Sequence, residues 1–96
     1  MSPSLYANGP AAANTRRALW ATAALDAFGR ETGQRYVTPG ELDVEPHELV
    51  EISGDLVADL LHLARRNDVA PEAITRAGHG HFDEEVAEEE DEGQTP

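Results

Sequence analysis

Apolar residues recur at helical spacing in three stretches of this chain. From Arg16 to Glu31, Ala18, Ala21, Leu25 and Phe28 form one seam, widened by Leu19, Trp20, Ala23, Ala24 and Ala27, with Thr22 and Asp26 as the polar stripe. Asn14 or Thr15 can cap this helix, and Gly33 supplies a left-handed stop. A second helix opens at Pro46, which fits the first helical position, and carries Leu49, Ile52, Leu56, Leu60 and Leu63 as its core seam. Arg65 and Arg66 complement its negative end, and Asn67 can take a left-handed cap. A third helix opens at Pro71, with Ala73, Ile74, Ala77, Phe82 and Val86 as apolar positions.

Between the first two helices, Pro39-Gly40 has the chemistry of a type II turn. Tyr36-Val37 is a candidate short extended piece, but no stretch of comparable pattern could pair with it, so no sheet is expected. Gly78 and Gly80 weaken the third helix, and either end it early or let it press on a neighbour. The short connection from Asn67 to Ala70 predicts an antiparallel hairpin of helices two and three. The expected fold is all-α: a three-helix domain over residues 16–82, a flexible segment over 1–15, and a disordered acidic tail over 83–96.

The tail expectation comes from charge. Asp83, Glu84, Glu85, Glu88, Glu89, Glu90, Asp91 and Glu92 place eight of the 19 acids in the last stretch of a 96-residue chain. Such a run repels itself and buries no apolar area. The seven basic residues are all arginines, and the net charge is −12. That balance argues against direct nucleic-acid binding, which needs a basic footprint, and suits a basic protein surface as partner. The absence of cysteine excludes disulfides and thiol chemistry. No apolar run is long enough for a membrane span, and the start lacks a signal-peptide pattern, so a cytoplasmic location is expected. A domain this small has a marginal core, and the broad apolar surface of the first helix predicts a homo-oligomer formed through it.

One arrangement stands out as candidate chemistry. Glu48, Glu51, Asp55, Asp59, His62 and Arg66 recur at three- and four-residue steps, so they form a single column on the second helix. Like charges at i, i+4 repel by a few tenths of a kcal/mol per pair, roughly, and a helix selected only for stability would alternate signs. Glu51, Asp55, Asp59 and His62 are therefore the candidate partner-binding residues. The same face offers oxygen ligands that would suit magnesium or manganese, although one helix rarely closes such a site. His79 and His81, two residues apart, do not share a helix face. Phosphate-loop and dinucleotide fingerprints are absent.

Two resemblances arise over residues 48–86. The run D-L-V-A-D-L-L-H (Asp55 to His62), with a later A-x-x-x-H-F-x-x-E (Ala77 to Glu85), resembles small uncharacterised helical proteins of phages and mobile elements. Asp55, Asp59, His62, His81 and Phe82 carry that likeness, which implies a non-enzymatic accessory or regulatory protein acting on another protein. The run from Glu51 to Arg66 followed by Pro71 to Phe82 also resembles the C-terminal helix pair of MazG-like nucleotide pyrophosphohydrolases. That resemblance implies an all-α oligomer hydrolysing nucleoside triphosphates, with Glu48, Glu51 and Asp55 holding magnesium. The chain departs from that pattern in having Ile52 where the family places glutamate, and no Glu-x-x-Glu in its first helix. An enzyme of that kind would be a degenerate one.

Overall fold

A computed structural model describes residues 4–34 and 37–94. Three helices follow one another: α1 (Pro10–Thr32), α2 (Pro46–Arg66) and α3 (Pro71–Gln94). No strand occurs among the described residues. Each helix begins on a proline, whose fixed φ suits a first helical position that needs no N–H donor. Glu45 caps α2, its carboxylate accepting from the Glu48 amide at 2.9 Å. Gly33 ends α1 in the left-handed conformation, as its position in the sequence suggests. The end of α2 differs from expectation. Asn67 is not left-handed; the following Asp68 takes the positive φ of 56°, while the Asn67 side chain donates to the Leu63 carbonyl at 2.9 Å. Aspartate tolerates this region better than most residues, so the reversal needs no glycine.

The core sits where the middle of α1 crosses the first half of α2 and is closed by the connecting loop. Leu25, Val37 and Ile52 are buried together, with Phe28, Val44 and Leu56 packed around them. Ile52 is the only large side chain that is fully buried among the described residues. Of the expected α2 seam, Leu56 is half-buried, whereas Leu49, Leu60 and Leu63 remain exposed. The α1 seam is also rearranged: Leu25 is buried and Phe28 half-buried, but Ala18 and Ala21 are exposed. In their place Thr22 turns inward, donating to the Leu19 carbonyl at 2.7 Å and accepting from the Gly40 amide at 3.2 Å. The expected polar stripe of α1 is thus the anchor for the Pro39-Gly40 turn. Tyr36 lies outside the described residues, and its neighbour Val37 is a core residue.

Two boundaries move. The helical part of α1 starts at Pro10, six residues before Arg16, so only residues 4–9 of the described N-terminal segment lie outside it. The acidic stretch from Asp83 is helical to Gln94, where disorder is expected, and neither Gly78 nor Gly80 interrupts it. Residues 1–3 and 95–96 of those two expected segments lie outside the described residues. A shared contact accounts for both changes, because the C-terminal half of α3 lies antiparallel against the start of α1. Helices α2 and α3 form the expected hairpin, with Val57 and Leu60 facing Ile74 and Phe82 across a short connection.

Gly29 lies where α1 meets the returning chain. A Cβ there would overlap the Gln34 carbonyl oxygen and touch Ile52 Cδ1 at 3.7 Å. Alanine is the better helix former, yet Gly29→Ala is expected to destabilise the fold by about 1–3 kcal/mol through overpacking. Ile52→Ala should remove about 2–5 kcal/mol, enough to leave a domain of this size partly unfolded at room temperature. Urea denaturation followed by circular dichroism checks both.

Candidate partner-binding surface

The acid column of α2 survives intact in three dimensions. Glu51, Asp55, Asp59 and His62 are exposed and Glu48 is half-buried, all on one side of the helix. At 100° per residue, Asp55 and Asp59 lie about 100–160° around the helix from Val57 and Leu60, which face α3. The column therefore points away from the hairpin partner. Among the described residues no arginine forms an ion pair with it; its one salt bridge is Glu51 Oε2 to His47 Nε2 at 3.7 Å, an exposed pair within α2. Arg66 closes the column at its C-terminal end and is also exposed.

A divalent ion would need several of these oxygens to converge. Among the described residues no group of three or more histidine, aspartate or glutamate side chains is gathered closely enough to hold one. Glu48, Glu51 and Asp55 are strung along a single helix, and no second helix brings carboxylates towards them. The donor set does not fit magnesium or manganese, so no hydrolytic step can be derived from it. His79 and His81 are exposed on α3 without metal-ligand company.

The acids of α3 divide into two sets. Glu85, Glu89 and Glu92, spaced by one helical turn, face α1. Arg17 Nε approaches Glu85 Oε2 at 3.3 Å; Asn14 Nδ2 donates to Glu89 Oε1 at 2.9 Å and to the Glu85 carbonyl at 3.0 Å. The Ala11 amide donates to Glu92 Oε2 at 3.0 Å. That last contact places a carboxylate at the positive end of α1, where the first amides have no partner within the helix. Gly9, the N-cap residue, provides no side-chain cap of its own, so Glu92 acts as one from a distant part of the chain.

Arg17 ties a third segment into this clasp. Its Nη2 donates to the Tyr6 hydroxyl at 2.5 Å, its Nη1 to Asn14 Oδ1 at 2.6 Å, and its Cζ lies 5.1 Å from the centre of the Tyr6 ring. The Tyr6 hydrogen bond chiefly, and then the charge of Glu85, raise the Arg17 pKa above its ordinary value, against a lowering by burial. The alternation of glutamates that reach α1 with those that do not was legible only as a four- and three-residue spacing within an otherwise uniform acidic run.

No helix among the described residues is long and apolar enough to cross a membrane. What the surface offers is charge and exposed apolar area, in separate places: the acid column on α2, and an open groove on the other side of that helix lined by Val57, Leu60, Ile74, Gly78 and Phe82.

Gly9 has φ 91° and ψ 171°, a region essentially confined to glycine, and a Cβ there would run into the Glu92 carboxylate. Gly9→Ala is expected to destabilise the fold by about 1–3 kcal/mol through strain at this backbone conformation. Glu92→Gln should leave global unfolding nearly unchanged but speed amide exchange at Ala11–Ala13 by about threefold to tenfold, because the loss is local. Hydrogen exchange followed by NMR separates the two effects.

No family model matches this chain, and neither a curated protein nor a solved structure is significantly similar to it.

Proposed function

We propose that this chain is a non-enzymatic accessory or regulatory protein, of the phage or mobile-element type that its D-L-V-A-D-L-L-H run resembles, which binds a basic surface of another protein through the acid column of α2. The observation that carries this reading is the column itself. Glu51, Asp55 and Asp59 stand at successive turns, exposed, with no arginine of the chain against them among the described residues. Among the described residues only His47, beside Glu51, stands against their mutual repulsion, and a cationic partner would relieve it on binding. The acids of α3 contribute differently. Glu85, Glu89 and Glu92 are engaged with α1, so the acidic stretch adds to the long-range field but is not a free arm available to wrap a partner.

The degenerate MazG-like pyrophosphohydrolase is the rival reading, and the confinement of Glu48, Glu51 and Asp55 to one helix, with no metal-holding cluster among the described residues, weighs against it. It makes a different prediction: pyrophosphate released from a nucleoside triphosphate with magnesium or manganese, and lost in Asp55→Ala. Such release would replace the accessory reading.

A deca-arginine peptide serves as the probe. The triple variant Glu51→Gln, Asp55→Asn, Asp59→Asn should weaken binding about tenfold or more at low salt, and the wild-type affinity should fall as salt rises through about 0.15 M. A control that removes the same formal charge from α3, Glu84→Gln with Glu88→Gln and Glu90→Gln, should have a clearly smaller effect. Equal losses from the two triple variants would mean that net charge alone attracts the peptide, and the column would lose its assigned role. Amide shift changes centred on residues 48–62 are the expected footprint.

A further inference from the structure

The groove between α2 and α3 has no occupant in the chain that forms it. It is lined chiefly by Val57, Leu60, Ile74 and Phe82, which remain 42%, 41%, 40% and 60% exposed, and it encloses about 510 Å³. Gly78 lies on its floor, and a Cβ added there would meet nothing within 4 Å. A glycine inside a helix is unfavourable relative to alanine, and no close approach within this molecule explains this one.

The whole molecule is under-buried to match. It exposes 7278 Å², whereas a compact monomer of 10.4 kDa would expose about 5,400 Å². Its radius of gyration is 15.4 Å, against about 12.5 Å for a compact domain of this length. The surplus, about 1,900 Å², exceeds the roughly 800 Å² that each partner gives up in a standard interface.

We infer that a second copy of this chain occupies the groove, giving a two-fold dimer in which the two α2–α3 hairpins pack face to face. The rim favours this occupant. Thr75 spends its hydroxyl on the Glu72 carbonyl of its own helix, which leaves a histidine, His79, and an acid, Asp83, four residues apart on α3. Two antiparallel α3 helices crossing between these positions set each histidine opposite the other copy's aspartate, as a self-complementary interface requires. The ridge formed by Phe82 of one copy then covers the bare backbone at Gly78 of the other. The acid columns lie on the far side of α2, so the dimer holds them apart and leaves both accessible. This contact differs from the one the sequence predicts, which ran through α1 and its exposed Trp20.

Sedimentation equilibrium on the full chain tests the proposal. The expected mass is twice 10.4 kDa. Added salt, from about 0.05 to 0.5 M, should strengthen the dimer, because screening weakens repulsion between two chains of like charge. Binding of a basic peptide to the acid column responds to salt in the opposite sense, so the two readings can fail separately. Gly78→Leu and Leu60→Glu should each raise the dissociation constant about tenfold or more. Leu60→Glu changes an exposed position, and Gly78→Leu adds a side chain where the folded monomer has room, so helix content by circular dichroism should hold in both. Trp20→Ser should leave dimerisation unchanged. A monomer at all concentrations and salts overturns the inference. So does a dimer that Trp20→Ser breaks and Gly78→Leu does not, because the interface would then be α1.

Discussion

The fold hangs on one buried side chain. Ile52 is enclosed by Leu25 from α1 and Val37 from the loop, and no other large residue among those described is fully removed from water. A core of this size holds two helices and a loop but cannot reach a third helix of 24 residues. The attachment of α3 is consequently of another kind: half-exposed apolar contact along α2 in its first half, and hydrogen bonds and an ion pair to α1 in its second. Polar links of that sort specify register well and contribute modestly to stability, since each exchanges water for a protein partner.

This division explains why an acidic stretch can be helical. Eight carboxylates within ten residues should drive a helix apart, and in isolation α3 beyond Asp83 would fray. Three of them, spaced to share a face, find Arg17, Asn14 and the Ala11 amide on α1. Cation, amide side chain and helix N-terminus form a graded set of positive groups matched to that spacing. The column on α2 has the same spacing and no such match among the described residues, which is why the two acidic surfaces are read as doing different things. One completes the fold; the other faces outward.

Much of the helical architecture is legible from periodicity and from the two prolines that open α2 and α3, whereas Pro10, which opens α1, falls in the stretch whose composition suggests a flexible start. The limits of α2 follow directly from Pro46 and from Arg65-Arg66, and the hairpin from the shortness of the connection that follows. The faces of α1 were not legible. Alanine is equally at home inside and outside, so a seam built on Ala18 and Ala21 carries little information, and Thr22 was assigned to water because its partner, the Gly40 amide, lies 18 residues away. The helical course of α3 beyond Asp83 was hidden for the same reason. Local composition shows the repulsion, and only tertiary contact shows what offsets it. On the candidate surface, the column was read correctly as a column, but the sequence could not say whether an arginine opposed it. The groove was invisible, because Leu60 and Phe82 look like ordinary core residues until their surroundings are known.

A cap borrowed from far along the chain has a consequence for the order of folding. A helix commonly starts with a residue whose side-chain oxygen serves an amide two or three positions on, so the first turn can form as soon as it is made. Here the oxygen that receives the Ala11 amide belongs to a glutamate 81 residues later. During synthesis that amide of the opening turn stays on water until Glu92 has emerged. The opening turn of α1 is therefore completed only after α3 has docked, and its protection reports that the C-terminal half of α3 is in place.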